Sequence, residues 1–207
     1  MDCPRVSLSL AVAPCGEPRQ KAAEAGVSLV DCVQGNALDL SRYGDGSFDV
    51  VLLMGPLYHL LQPESRDQAM REALRVLRPG GLLFAAFITR YAVLINMLGY
   101  APEDIVRRRA VCEAIIRDGV DIPATDDSGF TEACFTVATD IEPFMAKHGL
   151  ETLRLAGAEG IVAGAEPVVC RLPDEQFATW ADLCYSLGTD PLTWGASEHM
   201  LYIGRKP

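Results

Sequence analysis

Asp45–Leu61 reads DGSFDVVLLMGPLYHLL, and Arg78–Ile88 reads RPGGLLFAAFI. Phe48–Met54 is an apolar run of strand length that follows a turn at Gly44–Gly46. A strand apolar on both faces implies cover on both sides, as in a parallel sheet sandwiched by helices. After Ser65 the period changes. Ser65 and Gln68 match a capping box, and Ala69, Ala73, Val76 and Leu77 fall on one helical face. Pro79, Gly80 and Gly81 end that helix, and Leu82–Ile88 reads as a second doubly buried strand. Such a strand, helix and strand usually stand behind a glycine-rich cofactor loop, so the rest of the chain must be searched for one.

Outward from this unit, Val6–Leu10 alternates like a half-buried strand. Gln20–Ala25 reads as the last turns of a helix stopped by Gly26, and Val27–Val33 as a further strand closed by Gly35. Beyond Thr89 the alternation lapses over residues 90–138, a stretch far longer than ordinary connections, which marks it as a cap or substrate-binding insertion. Within it Tyr91–Leu98 and Pro102–Arg117 look helical, and Asp121–Gly129 is a polar loop. Order resumes with a helix at Asp140–His148, a strand at Leu150–Leu155, a helix at Pro173–Leu187 and a closing strand at His199–Arg205. Strand and helix alternate, so the fold class is α/β in one domain with a mainly parallel sheet. Ligands of such sheets bind beyond the carboxyl ends of the strands. That points to Gln34–Ala37, Met54–His59 and Ile88–Tyr91.

The chain has 207 residues, 49% hydrophobic and 22% charged, which is globular composition for a single domain. No apolar stretch approaches about 18 residues, so no membrane partner is expected. The net charge of -10 and the lack of a basic stripe exclude a nucleic-acid partner from the expectations. A small, neutral or cationic substrate suits that balance, although acidity also serves solubility alone. Seven cysteines form no C-x-x-C pair and stand at no metal-ligand spacing from histidine, so reduced thiols in a cytoplasmic protein and no metal are expected. Val6–Ala13 followed by Cys15 has the outline of an export signal, but the run is short, only Arg5 precedes it, and Pro14 follows Ala13.

There is no G-x-S-x-G elbow, H-E-x-x-H pair or P-loop. Gly44 and Gly46 precede a strand instead of following one and read as a turn. The three histidines are scattered, with His148 read as a helix C-terminal residue and no role given to His199.

GNALDL (Gly35–Leu40), DGSFDVVLLMGPLYHLL and EALRVLRPGGLLFAAFI (Glu72–Ile88) together resemble class I S-adenosylmethionine-dependent methyltransferases. The likeness continues through FTEACFTVATDIEPFMAKHGLETL (Phe130–Leu153) and GASEHMLYIGRKP (Gly195–Pro207). It implies a Rossmann-like three-layer sandwich, S-adenosylmethionine as cofactor, and methyl transfer to a small-molecule acceptor. It also implies that Asn36 accepts a hydrogen bond from the adenine amino group and Ala37 offers its backbone N–H to the ring. Met54 and Gly55 would lie beside the cofactor, and Tyr58 and His59 would face the transferred methyl. Each has a plainer reading: Asn36 as a turn residue bonding its own backbone, Met54 as core, Tyr58 as a half-buried aromatic, His59 as a helix-start residue. Thr131, Cys134 and Phe135 are candidate substrate contacts or simply packed strand.

The family's first strand and glycine-rich loop have no counterpart in this sequence. Arg5–Pro14 matches the family's second strand, and Ser9–Val12 replaces the acid that grips the ribose. The sheet is therefore expected to be incomplete at its first strand, residues 1–18 are atypical, and an exposed edge invites a homodimer. Two readings remain: an enzyme, or a non-catalytic remnant that binds a nucleotide or a partner. A nicotinamide-dependent oxidoreductase would need the same missing fingerprint.

Overall fold

A computed structural model describes residues 16–122 and 132–207. The first element is α1 (Gly16–Glu24), which ends in a turn at Gly26 (φ 64), as the glycine stop predicts. Val27–Val33 is not a strand. Val30 is 70% exposed, the Asp31 carboxylate accepts from the Cys32 N–H at 2.8 Å, and Arg19 donates to the Cys32 carbonyl at 3.0 Å. Local side-chain bonds have taken up backbone groups that a ladder would need. The expected strand at Val6–Leu10 and the ribose position at Ser9–Val12 lie outside the described residues.

The unit that decides the fold is β1 (Phe48–Leu53), the short helix α2 (Pro56–His59), α3 (Pro63–Val76) and β2 (Leu77–Thr89). Pro63 starts α3, Gln62 is its N-cap, and no side-chain cap forms. The capping box expected at Ser65 is thus a correction: Ser65 lies inside the first turn, where proline's fixed φ already suits the start. Ala69, Met70, Ala73 and Val76 are buried on one face of α3 against the sheet. Pro79–Gly81 does not separate helix from strand, because β2 already begins at Leu77. A Cβ on Gly81 would stand 2.9 Å from the Asp49 carbonyl, so only glycine lets β1 and β2 close here.

After β2 come α4 (Ala92–Tyr100), α5 (Ile105–Asp118), and the strands β3 (Val120–Asp121) and β4 (Ala133–Thr136). The chain continues through α6 (Ile141–Lys147), β5 (Glu151–Gly157), α7 (Glu166–Val169), α8 (Asp174–Leu187) and β6 (His199–Arg205). β1 and β4 run parallel to β2, whereas β6 pairs antiparallel with both β2 and β5, and β3 with β4. The architecture is the expected Rossmann-like α/β fold. Among the described residues, however, its sheet is mixed and not mainly parallel, because β6 runs back between β2 and β5.

A strand has two edges, and β6 holds one edge of β2 from Leu82 to Ile88. β4, which meets β2 at Ile88 and Thr89, therefore continues the edge that β1 occupies up to Ala85. The strand pair of the 92–136 region thus extends the sheet just beyond the carboxyl end of β1.

The main core joins α3 and α6 to one face of the sheet through Leu83, Ala85, Phe87, Met200 and Tyr202. The other face is less covered. Val50 and Leu52 are each 40% exposed, and Leu82, Phe84 and Ala86 are half-buried, so neither strand is fully buried on both faces. Among the described residues no strand pairs with the outer edge of β1.

Candidate functional site

The carboxyl end of β1 breaks at Met54 and at Gly55, whose φ of 144 is open to glycine alone. That break turns the chain straight into α2, with Pro56 at its start. A Cβ on Gly55 would lie 3.6 Å from the Tyr58 hydroxyl, so the phenol folds back over the break. Met54 is 52% exposed beside it, which corrects its alternative reading as core.

The Tyr58 ring packs against Ile88, Ala92, Ile115, Ala133 and Phe135, and burial pushes its pKa up. The His59 ring lies 4.7 Å from that of Tyr58 and is exposed. His59 Nδ1 is 3.2 Å from the Glu132 carbonyl oxygen, which can only accept. The bond therefore requires a proton on Nδ1.

Asn36 and Ala37 reach the same region through a loop fastened to α3. The Leu40 N–H donates to Glu72 at 2.7 Å, Arg75 bridges Glu72 and the Tyr43 carbonyl, and Gln68 donates to the Leu38 carbonyl. Asn36 Oδ1 accepts from the Leu38 N–H at 3.0 Å, which is the turn its plainer reading described. An amide oxygen keeps a second lone pair for another donor. Ala37 is 1% exposed and, with Leu53, Pro56 and Ala69, lines a narrow apolar cleft of about 30 Å³. None of the described residues stands in the role of the ribose acid: Asp31 pairs with Arg42, and Asp39 accepts from Ser41.

Ile88, Ala92 and Phe135 of the Tyr58 cluster also border a second cavity, of about 360 Å³. Ile88, Ala92, Val93, Met97 and Phe135 give it apolar walls. Asn96, Asp104, Arg108, Asp121, Glu198 and His199 supply its polar groups. Phe135 was a candidate substrate contact and lines it; Cys134, on the alternate side of the same strand, does not. Thr131 lies outside the described residues.

The roof of this cavity is α4, and its position is fixed by contact of bare backbones. A Cβ on Gly99 would come within 2.3 Å of the Gly164 carbonyl, and one on Gly164 within 2.7 Å of the Ile95 carbonyl. The floor is tied by Thr89, whose hydroxyl donates to the Ser197 carbonyl at 2.7 Å in a buried setting. At one wall the carboxylate of Glu159 receives His199 Nδ1 at 2.6 Å, the His199 N–H at 2.9 Å and the Ser197 hydroxyl at 2.8 Å. Burial opposes ionisation of Glu159, yet these donors hold it down at about 2. The hydrogen bond to Glu159 raises His199 in turn.

Sequence reasoning missed Glu159, Glu198, His199 and Asp121. Forty residues separate His199 from Glu159. Only the β5–β6 pairing brings them together, so no short motif announced the pair. His148, besides ending α6, sits 3.1 Å from Asp67, away from both clefts.

The methyltransferase domain family matches this chain over residues 6–85. Among solved structures, a [4+2]-cyclase named SpnF superposes with a TM-score of 0.53 at 19% identity, over 97% of this chain and 65% of its own. A methyltransferase from Methanosarcina mazei matches with a TM-score of 0.53 at 17% identity, over 92% of this chain and 78% of its own. A possible histamine N-methyltransferase from Thermotoga maritima gives 0.50 at 18%, over 93% and 70%. The chain thus spans about two thirds to three quarters of these proteins. Among the described residues no group of three or more His, Cys, Asp or Glu side chains is arranged to hold a metal, and no helix is long and apolar enough to cross a membrane.

Proposed function

On the footing that this chain has the fold of the class I S-adenosylmethionine-dependent methyltransferases and matches their domain over residues 6–85, we propose that it transfers a methyl group to a small-molecule acceptor. The observation that carries the reading is the Gly55 break at the carboxyl end of β1: Leu57 after it shares a core cluster with Ala37, and Tyr58 packs against the cluster of Ile88, Ala92 and Phe135 that lines the larger cavity. The Asn36–Ala37 loop takes the adenine, with Asn36 Oδ1 accepting from its amino group and Met54 and Gly55 alongside. The larger cavity, roofed by α4, takes the acceptor.

When bound, the cofactor supplies an already electrophilic methyl on a sulfonium. The residues of this chain then have to orient a nucleophile and keep water out. Tyr58, held protonated by burial, orients through its hydroxyl and is a poor base. His59, an imidazole beside Tyr58, is the better proton acceptor where the acceptor molecule needs one.

Calorimetry with S-adenosylhomocysteine tests the cofactor half. Dissociation in the micromolar range supports it, and no heat at millimolar ligand sinks it and favours a non-catalytic remnant. That second reading rests on the absence, among the described residues, of any strand outside β1 and of a ribose-binding acid. Fold alone does not fix chemistry, as the cyclase on this fold illustrates. Methyl transfer therefore needs its own assay, in which Tyr58→Phe and His59→Ala should each lower turnover by at least about tenfold.

A further inference from the structure

Asp121 and Glu198 are each only 9% exposed, and both line the larger cavity. Carboxylates are rarely buried without a partner, because an isolated charge loses its hydration. Among the described residues the Asp121 carboxylate makes no hydrogen bond and no ion pair. Glu198 has one contact, from Asn96 Nδ2 at 3.5 Å, the limit of a hydrogen bond. The third acid of the lining, Asp104, is already held by Arg107 at 2.6 Å.

The cations of the lining offset these two acids only in part, through the charge of His199 on Glu198. Arg108 stands within ion-pair distance of neither, and His199 gives its Nδ1 to Glu159. Glu166 adds a further buried carboxylate oxygen without a partner close enough to push Glu198 up, an effect that comes after burial and ahead of Glu159. A metal ion is not the answer to this imbalance, since no metal-holding arrangement of three such groups exists among the described residues. Ile88, Ala92, Met97 and Phe135 instead offer apolar contact to a carbon skeleton, and the Phe135 ring offers a π-face.

We propose that this cavity selects an organic ammonium, an arylalkyl or alkyl amine whose charged nitrogen is received by the carboxylates of Asp121 and Glu198. The proposal rests on reading the cavity as the acceptor site and names the class of acceptor it takes. Bound as the ammonium, the ligand must shed one proton before its nitrogen lone pair is available. Glu198, raised by burial and by Glu166, is the carboxylate suited to take that proton onto an oxygen.

The test uses the whole chain without cofactor, so that it succeeds or fails apart from the methyl-transfer reading. Phenethylamine, 2-phenylethanol and phenylacetate share one skeleton and differ in the charge of the head. Calorimetry should give phenethylamine the tightest binding, by at least about tenfold over the alcohol, with no heat from the acid. Asp121→Asn keeps the side chain's shape, and it should weaken the amine by about tenfold or more while leaving the alcohol unchanged. Glu198→Gln should do the same. Equal binding of amine and alcohol, stronger binding of the acid to Arg108, no binding of any of the three, or an Asp121→Asn protein that melts as wild type and still prefers the amine would each overturn the proposal. Tight amine binding with no S-adenosylhomocysteine binding would uphold it while removing the methyl-transfer reading.

Discussion

Glu159 and His199 form a pair whose contribution to stability is confined to a window of pH. Glu159 titrates at about 2 in the folded chain against an ordinary 4.5. It therefore stabilises above 4.5 and loses that contribution as pH falls toward 2. His199 is raised above its ordinary 6.5 by Glu159, against burial, with Glu198 and Glu166 adding to the rise. Its contribution is complete below 6.5 and disappears as pH climbs through the folded value. Both terms are complete together only between 4.5 and 6.5. Glu159→Gln is accordingly expected to cost about 1 kcal/mol there, at the low end for charged hydrogen bonds because the imidazole is 43% exposed. Thermal melts across pH check it: the gap between variant and parent should narrow at pH values below and above that interval, and a gap independent of pH would refute the pairing.

At the scale of the element, β2 is where most of the fold is decided. It carries β1 and β4 on one edge and β6 on the other. Gly81→Ala would press a methyl group against the backbone carbonyls of Arg78 and Asp49, both 2.9 Å from its position. The expected loss is about 1–3 kcal/mol, read in urea unfolding; full retention of stability would show that β1 and β2 can part without cost. Periodicity located α3, α6 and β6, which carry their burial patterns in their own residues, and also β1, β2, β5 and α8, whose exposure it did not foresee. Val27–Val33 read as a strand for the same reason, but pairing is supplied from outside a segment, and local bonds from Asp31 prevailed. The backbone break at Met54–Gly55 was legible in the sequence, because a glycine followed by a proline writes it locally. The surroundings of Asp121, Glu159, Glu198 and His199 were illegible, because strand pairing across the chain sets their neighbours.

Across the whole molecule, one sheet face is packed by α3 and α6 and the other leaves Val50, Leu52 and Leu153 between 38% and 40% exposed. Apolar strand residues open to solvent favour edge or face pairing between copies. Size-exclusion chromatography over a range of concentrations is expected to show a dimer that Leu52→Lys shifts toward monomer. A single monomeric peak at every concentration would count against it. The abutting backbones of Gly99 and Gly164 bear on the other end of the molecule. An alanine at either glycine would force the two backbones apart and displace the helix that roofs the cavity, so the height of the chamber is set by two absent methyl groups.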